Sequence, residues 1–162
     1  MTQLEIRPAE KEDGAAIWGL TRELDALESN SAYAYLLLCR DFGHSCRVAT
    51  AGDDLLGFVV GYRPPRRRET IFVWQIGVHP DARGRGVAGR LLRDLVRGPE
   101  SAGVTCLEAT VTPDNQASRA LFRSFARAVD APCEVTPCFE PGDFPEPHEP
   151  EELFRIGPFA RN

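Results

Sequence analysis

The segment Arg83-Gly84-Arg85-Gly86-Val87-Ala88 has the composition of an anion-binding turn. It follows a strongly apolar run, Thr70 to Val78, and precedes a segment with Leu91, Leu92, Leu95 and Val96 at helical spacing. Glycines let a backbone curl with its N–H groups pointing inward and no Cβ in the way. A helix N-terminus adds a partial positive charge, so strand, turn and helix together make a pyrophosphate cradle. The turn is not a Walker loop, because the Gly-Lys-Ser/Thr ending is missing. It is not a dinucleotide fingerprint either, because it follows a fourth strand and not an N-terminal strand–turn–helix unit.

Charge is divided along the chain. The 162 residues carry a formal net charge of −5. Nine arginines lie between Arg63 and Arg97, while eight acids and no basic residue lie between Asp130 and Glu152. The centre is suited to anions and the tail to a cation, although composition alone makes that tail a solvated loop. Net acidity argues against a nucleic-acid partner. No apolar run approaches the roughly 18 residues of a membrane span. The N-terminus lacks a signal pattern, so a cytoplasmic protein is expected. Five cysteines, an odd number, suit reduced thiols better than a disulfide framework. No Cys-x-x-Cys occurs and the three histidines are scattered, so no metal is expected.

The elements that must position the turn can be read from periodicity. Strands are expected at 4–8, 45–51, 55–62, 70–78, 105–112, 134–139 and 153–159. Helices are expected at 11–27 with Asp13 as cap, at 33–42, at 86–97, and from Asp114 or Asn115 to about 128. Thr70–Val78 is almost continuously apolar, as befits a central strand covered on both faces. Arg66-Arg67-Arg68, after Pro64-Pro65, reads as solvated loop. A mixed α/β sheet flanked by helices in one domain, 1–162, follows from this order. Its core would span 3–130, and an acidic, proline-rich loop and last strand 131–160.

Two motifs in this setting resemble the GNAT-type N-acetyltransferases. The first, Arg/Gln-x-x-Gly-x-Gly/Ala, is Arg83 to Ala88; the second, Asn-x-x-Ala-x-x-Leu-aromatic, is read in the run Asn115-Gln116-Ala117-Ser118-Arg119-Ala120-Leu121-Phe122, with Ser118 at the Ala position. The resemblance implies acetyl-CoA as donor. It implies that backbone amides near Ile76 and Val78 meet the pantetheine and thioester carbonyl. It further implies that N–H groups of Arg83, Gly84, Arg85, Gly86, Val87 and Ala88 hold the pyrophosphate, and that Asn115 contacts the pantetheine arm. Many members carry Tyr where this chain has Phe122, which cannot protonate the leaving thiolate. A thiol with a pKa near 8.5 can leave without a dedicated acid.

Three further segments are similar to the L-2,4-diaminobutyrate acetyltransferases of ectoine biosynthesis: 27–39, 72–78 and 144–158. With 107–113 added, the likeness covers nearly the whole chain. It implies N4-acetylation of a small diamino acid, an osmoprotective pathway and a homodimer. Such a substrate carries net +1 and needs acids and an aromatic face. Glu28, Tyr33, Trp74, His148 and Glu151 are the substrate-binding candidates. Glu28 is the first candidate base, with His148 and Glu151 behind it, and the Val78 amide is the expected oxyanion donor. On the residues alone Trp74 is equally a core aromatic, Glu28 an exposed helix end and Glu151 a solvated loop acid. Two other readings stand beside this one. One is acetylation of a polyamine, an aminoglycoside or a peptide N-terminus. The other is a CoA-binding regulatory module without turnover.

Overall fold

A computed structural model describes residues 2–28 and 30–160. Seven strands form one sheet: β1 Leu4–Pro8, β2 Arg47–Ala51, β3 Asp54–Tyr62, β4 Thr70–Val78, β5 Cys106–Val111, β6 Cys133–Phe139 and β7 Glu151–Ile156. Their order is β1-β2-β3-β4-β5-β7-β6. Only β4 and β5 run parallel; every other pair is antiparallel. The helices are α1 Gly14–Glu23, α2 Ala32–Phe42, α3 Val87–Arg97 and α4 Gln116–Ala128.

β4 takes the central position its apolarity requires. On one face Ile71 and Val73 pack with Leu91, Leu92 and Leu95 of α3 and Phe122 and Phe125 of α4. On the other, Phe58 and Val60 of β3 pack with Ile17 and Leu20 of α1 and Tyr35 and Cys39 of α2. Burial pushes the Cys39 thiol up to about 12 and the Cys46 thiol up to about 11, so both stay protonated and act as core residues.

The first helix departs from expectation at both ends. Residues 11–13 form a 3-10 turn, and Asp13 does not cap α1 through its side chain. Its carboxylate accepts instead from the Glu10 N–H at 2.7 Å and forms a two-pronged pair with the Arg7 guanidinium at 2.8 and 2.9 Å. Burial acts to raise the Asp13 pKa, but these partners outweigh it and hold the group below its usual value. At the other end α1 stops at Glu23, because Leu24 turns extended at φ −107°, ψ 102°. Leu24 and Leu27 keep the apolar period since both still pack inward. A side chain built on Gly77 would meet their Cδ1 atoms at 2.9 and 3.1 Å. The last strand is also displaced, running 151–156 and not 153–159.

The feature that shapes the site is a bulge in β4. Val60 pairs with Gln75 and Gly61 with Val73, so Trp74 has no partner on β3. One extra residue switches which face each side chain takes. Before the bulge Ile71 and Val73 face the α3/α4 layer; after it Ile76 and Val78 do. Gly61 permits the approach opposite, because a Cβ there would stand 2.4 Å from the Phe72 carbonyl oxygen. The parallel ladder between β4 and β5 ends at the same level, with Val73 opposite Ala109. Beyond it the two central strands part.

Candidate active site

Three chambers in series occupy and flank this parting. The middle one, about 250 Å3, is walled by Val73–Ile76 of β4, Ala109–Thr112 around the end of β5, and Asn115, Ser118 and Phe122 from α4 and its cap. Ala26–Glu28 and the tail residues His148 and Glu151 complete it. The first chamber, about 260 Å3, shares Ala26, Leu27, Ile76, Asn115 and Ser118 with the middle and extends past Val78 to Arg83 and Ala88. The far chamber, about 450 Å3, shares Glu28, Trp74, Thr110, His148 and Glu151 and extends to Tyr62, Arg67, Glu108, Cys138 and Phe144. A passage therefore leads from the glycine turn, between the parted strands, to an aromatic and acidic compartment.

At the first end, Gly84 and Gly86 adopt φ +77° and +72°, the left-handed region that favours glycine. A Cβ on either would meet no protein atom within 4 Å, so the turn is open on the side where a ligand would approach. The first helical hydrogen bond of α3 runs from the Arg90 N–H to the Gly86 carbonyl at 3.1 Å. The N–H groups of Val87, Ala88 and Gly89 thus belong to the unpaired first turn of a helix. The Val87 side chain is core, leaving only its backbone for a ligand. Arg83 lines the chamber; Arg85 stands exposed in the turn.

Backbone direction along β4 follows from one bond. The His79 N–H donates to the Leu56 carbonyl at 2.7 Å, so residue 79 faces β3. Residues alternate in a strand, which turns the N–H groups of Val78 and Ile76 toward the open side. Asn115 caps α4, its Oδ1 accepting from the Ser118 N–H at 3.1 Å, and lines both chambers. Phe122 lies buried in the wall of the middle chamber, its ring 6.3 Å from Phe154. No hydroxyl stands at that position.

At the far end the structure brings Glu28, Trp74, His148 and Glu151 together. His148 Nε2 lies 3.4 Å from Glu28 Oε1, and its ring stacks on Phe144 at 3.8 Å. A hydrogen bond to the Glu149 carbonyl, aided by Glu28, raises the His148 pKa against the effect of burial. Burial raises the Glu151 carboxyl above its usual range, and the nearby Glu28 charge adds to this; His148 and the Thr110 hydroxyl oppose it. Glu28 is the more open acid, with its side chain 76% exposed. Trp74, sent outward by the bulge, stacks on Tyr35 at 6.0 Å and is 38% exposed.

Tyr33 is not part of this grouping. It stands 68% exposed at the start of α2 and lines none of the three chambers. A helix turns 100° per residue, so the tyrosine two positions on faces nearly the opposite way. That residue, Tyr35, is buried and donates its hydroxyl to Gln75 Oε1 at 2.6 Å. Gln75 Nε2 in turn donates to the Glu28 carbonyl at 3.1 Å, fastening the α1–α2 connection over the passage. Sequence reasoning missed Tyr35 and Gln75. A polar Gln inside the apolar run of β4 was the available signal, since a buried amide needs partners. Gln75→Leu is expected to lower the melting temperature by about 3–6 °C by leaving the Tyr35 hydroxyl without its acceptor and the Glu28 carbonyl with only the longer Asn30 contact. It should also raise the apparent KM for the acceptor amine more than that for the acyl donor; equal shifts would show that the clamp serves the fold alone.

Arg67 and Glu108 are the other omissions. Arg67 does not sit in free solvent as the loop reading expects: its Nη1 donates to Glu108 Oε1 at 2.7 Å. Among the described residues no group of three His, Cys, Asp or Glu could hold a metal ion, and no helix is long and apolar enough to cross a membrane.

Residues 10–126 match the model of the Acetyltransferase (GNAT) family. The chain is 44% identical over 158 residues to the L-2,4-diaminobutyric acid acetyltransferase of Halalkalibacterium halodurans, covering 97% of this chain and 83% of that protein. It is 45% identical over 155 residues to the L-2,4-diaminobutyric acid acetyltransferase of Halomonas elongata, covering 95% and 81%. Among solved structures, diaminobutyrate acetyltransferase EctA from Paenibacillus lautus, in complex with its substrate L-2,4-diaminobutyric acid and coenzyme A, superposes with a TM-score of 0.93. That comparison has 38% identity and covers 100% of this chain and 99% of the other.

Proposed function

Since the chain belongs to the GNAT acetyltransferase family, we propose that it moves the acetyl group of acetyl-CoA to the 4-amino group of L-2,4-diaminobutyrate. The observation that carries this reading is the passage itself, with an anion cradle at one end and an acid and aromatic compartment at the other. An anionic donor and a diamino acid of net charge +1 fit those two ends and meet between β4 and β5.

The backbone from Arg83 to Ala88 binds the pyrophosphate, with the unpaired first turn of α3 aimed at it. Asn115 steadies the pantetheine arm through its free amide. The Val78 and Ile76 N–H groups receive the arm and polarise the thioester carbonyl. At the other end Glu28 and Trp74 hold the ammonium groups, an aromatic face contributing about 0.5–2 kcal/mol to such a contact.

The 4-amine must first lose a proton, because an ammonium has no lone pair and the free group has a pKa near 10.4. The Glu28–His148–Glu151 cluster accepts it. Of the two acids we assign the base role to Glu151, which is partly buried at the passage with its carboxyl raised by that burial, while Glu28 supplies negative charge from the solvent-open side. The amine nitrogen bonds to the carbonyl carbon, and the oxyanion forms against the Val78 amide, a term worth roughly 3–4 kcal/mol. Collapse breaks the carbon–sulfur bond and releases CoA thiolate. With Phe122 in the wall, the sulfur leaves without a tyrosyl acid. The product is N4-acetyl-L-2,4-diaminobutyrate, the precursor of the solute ectoine. A homodimeric, cytoplasmic enzyme of osmoprotection belongs to the same reading, supported by the family likeness.

Release of free thiol from acetyl-CoA, measured against a panel of amines, tests the reading. Fast release with diaminobutyrate and slow release with polyamines, aminoglycosides and peptides is expected. Preference for another amine would overturn it. Tight CoA binding without turnover would favour the regulatory module that Phe122 otherwise suggests.

A further inference from the structure

Resting on the diamino-acid reading above, we propose that Arg67 binds the acceptor's carboxylate and thereby selects the 4-amine over the 2-amine. Arg67 is the only Arg or Lys among the described residues lining the far chamber. Its place is fixed from both sides: the Arg67 N–H donates to the Pro64 carbonyl at 2.9 Å, and the Thr70 N–H donates to the Arg67 carbonyl at 3.0 Å.

The side chain is held by a buried acid. Glu108, 1% exposed, accepts from Arg67 Nη1 at 2.7 Å through one oxygen and from Arg155 Nη1 at 3.1 Å through the other. Two guanidinium groups on one carboxylate leave one positive charge over. Arg155 spends a further donor on Cys106 Sγ. Arg67 spends one donor on Glu108, its side chain is 49% exposed, and a guanidinium carries five N–H donors in a planar fork. That fork is suited to a second carboxylate arriving from the chamber.

Register supplies the length. Glu108 pairs with Phe72 across the parallel ladder, and Trp74 and Thr110 lie two residues further along the same two strands. Two residues of strand advance roughly 6.6 Å. An extended diaminobutyrate places its 4-nitrogen roughly 5 Å from its carboxylate carbon, at ordinary bond lengths. With the carboxylate at the Arg67 level, the 4-amine reaches the level of Trp74 and Thr110, whose hydroxyl meets the Glu151 carboxyl, where the middle chamber opens. The 2-amine, one carbon from the carboxylate, stays behind.

The test compares diaminobutyrate with 1,3-diaminopropane, the same chain without the carboxylate. R67Q is expected to lower kcat/KM for diaminobutyrate about 10- to 100-fold, mainly through KM. Its rate with 1,3-diaminopropane and its KM for acetyl-CoA should stay within about 2-fold of the parent. NMR of the product should reveal the N2-acetyl isomer, and R67K should recover part of the loss. Equal losses on both amines, in R67Q and R67K alike, would mean that Arg67 holds up the chamber, and would overturn the proposal. No loss on either would do the same. If the parent itself leaves diaminobutyrate untouched, the functional reading falls and this proposal with it; selective turnover by the parent with an indifferent R67Q sinks Arg67 alone.

Discussion

Gly86→Val should weaken CoA binding by about 100-fold or more while leaving a folded protein. Gly86 sits at φ +72°, where a β-branched residue is strained by about 1–2 kcal/mol. That strain alone would cost only part of the effect. The larger part is positional. A side chain there meets no protein atom, so it projects into the space before the first turn of α3. Relief of strain by a shift of the turn would instead rotate the amides that converge on the pyrophosphate. Both outcomes act on the ligand and spare the core, since the first buried residue of the helix is Val87. Calorimetric titration with CoA, beside a thermal melt, checks this. A normal titration in a well-folded variant would place the phosphate cradle elsewhere.

The second large effect is expected from Glu151→Gln, with kcat/KM for diaminobutyrate reduced about 100- to 1,000-fold, the usual reach of a positioned base. Glu28→Gln should cost less, and chiefly in KM, because Glu28 is open to solvent and acts by charge. The two differ in their pH profiles. A base works only when unprotonated, so the parent's kcat/KM should fall as pH drops through the raised pKa of Glu151. Glutamine cannot titrate, and the variant should lose that limb while keeping the rise toward alkaline pH caused by the amine itself. An acid limb that survives in Glu151→Gln and vanishes in Glu28→Gln would reverse the two roles.

Much of the architecture was legible because local pattern and tertiary demand agree. β4 announced itself by continuous apolarity, and it lies inside the sheet with Ile71 and Val73 in the core, although Phe72 and Trp74 on its other face line the far chamber. The glycine turn announced itself by composition, and both of its key glycines are left-handed. The misreadings have a common origin in features that depend on partners distant in sequence. Leu24 and Leu27 prolong a helical period though the helix has ended, because a loop above Gly77 needs apolar contacts as much as a helix does. Tyr33 and Tyr35 look interchangeable in a string of letters, and only the direction of α2 separates them. Arg67 reads as solvated loop until β5 is placed beside β4 and Glu108 comes within reach. The bulge at Trp74 left little mark that periodicity could use, since apart from Gln75 the strand residues around it are apolar.

The bond from Gln75 to residue 28 is made to the main-chain carbonyl, not to the carboxylate. An anchor on the backbone is blind to whatever side chain is carried there. The α1–α2 connection can therefore keep its place while residue 28 changes, and the scaffold imposes little penalty on such changes. Position 28 becomes a site where acceptor preference can drift by single substitutions, each tried on an unchanged frame. In this fold, inheritance of the architecture and choice of the amine are separable.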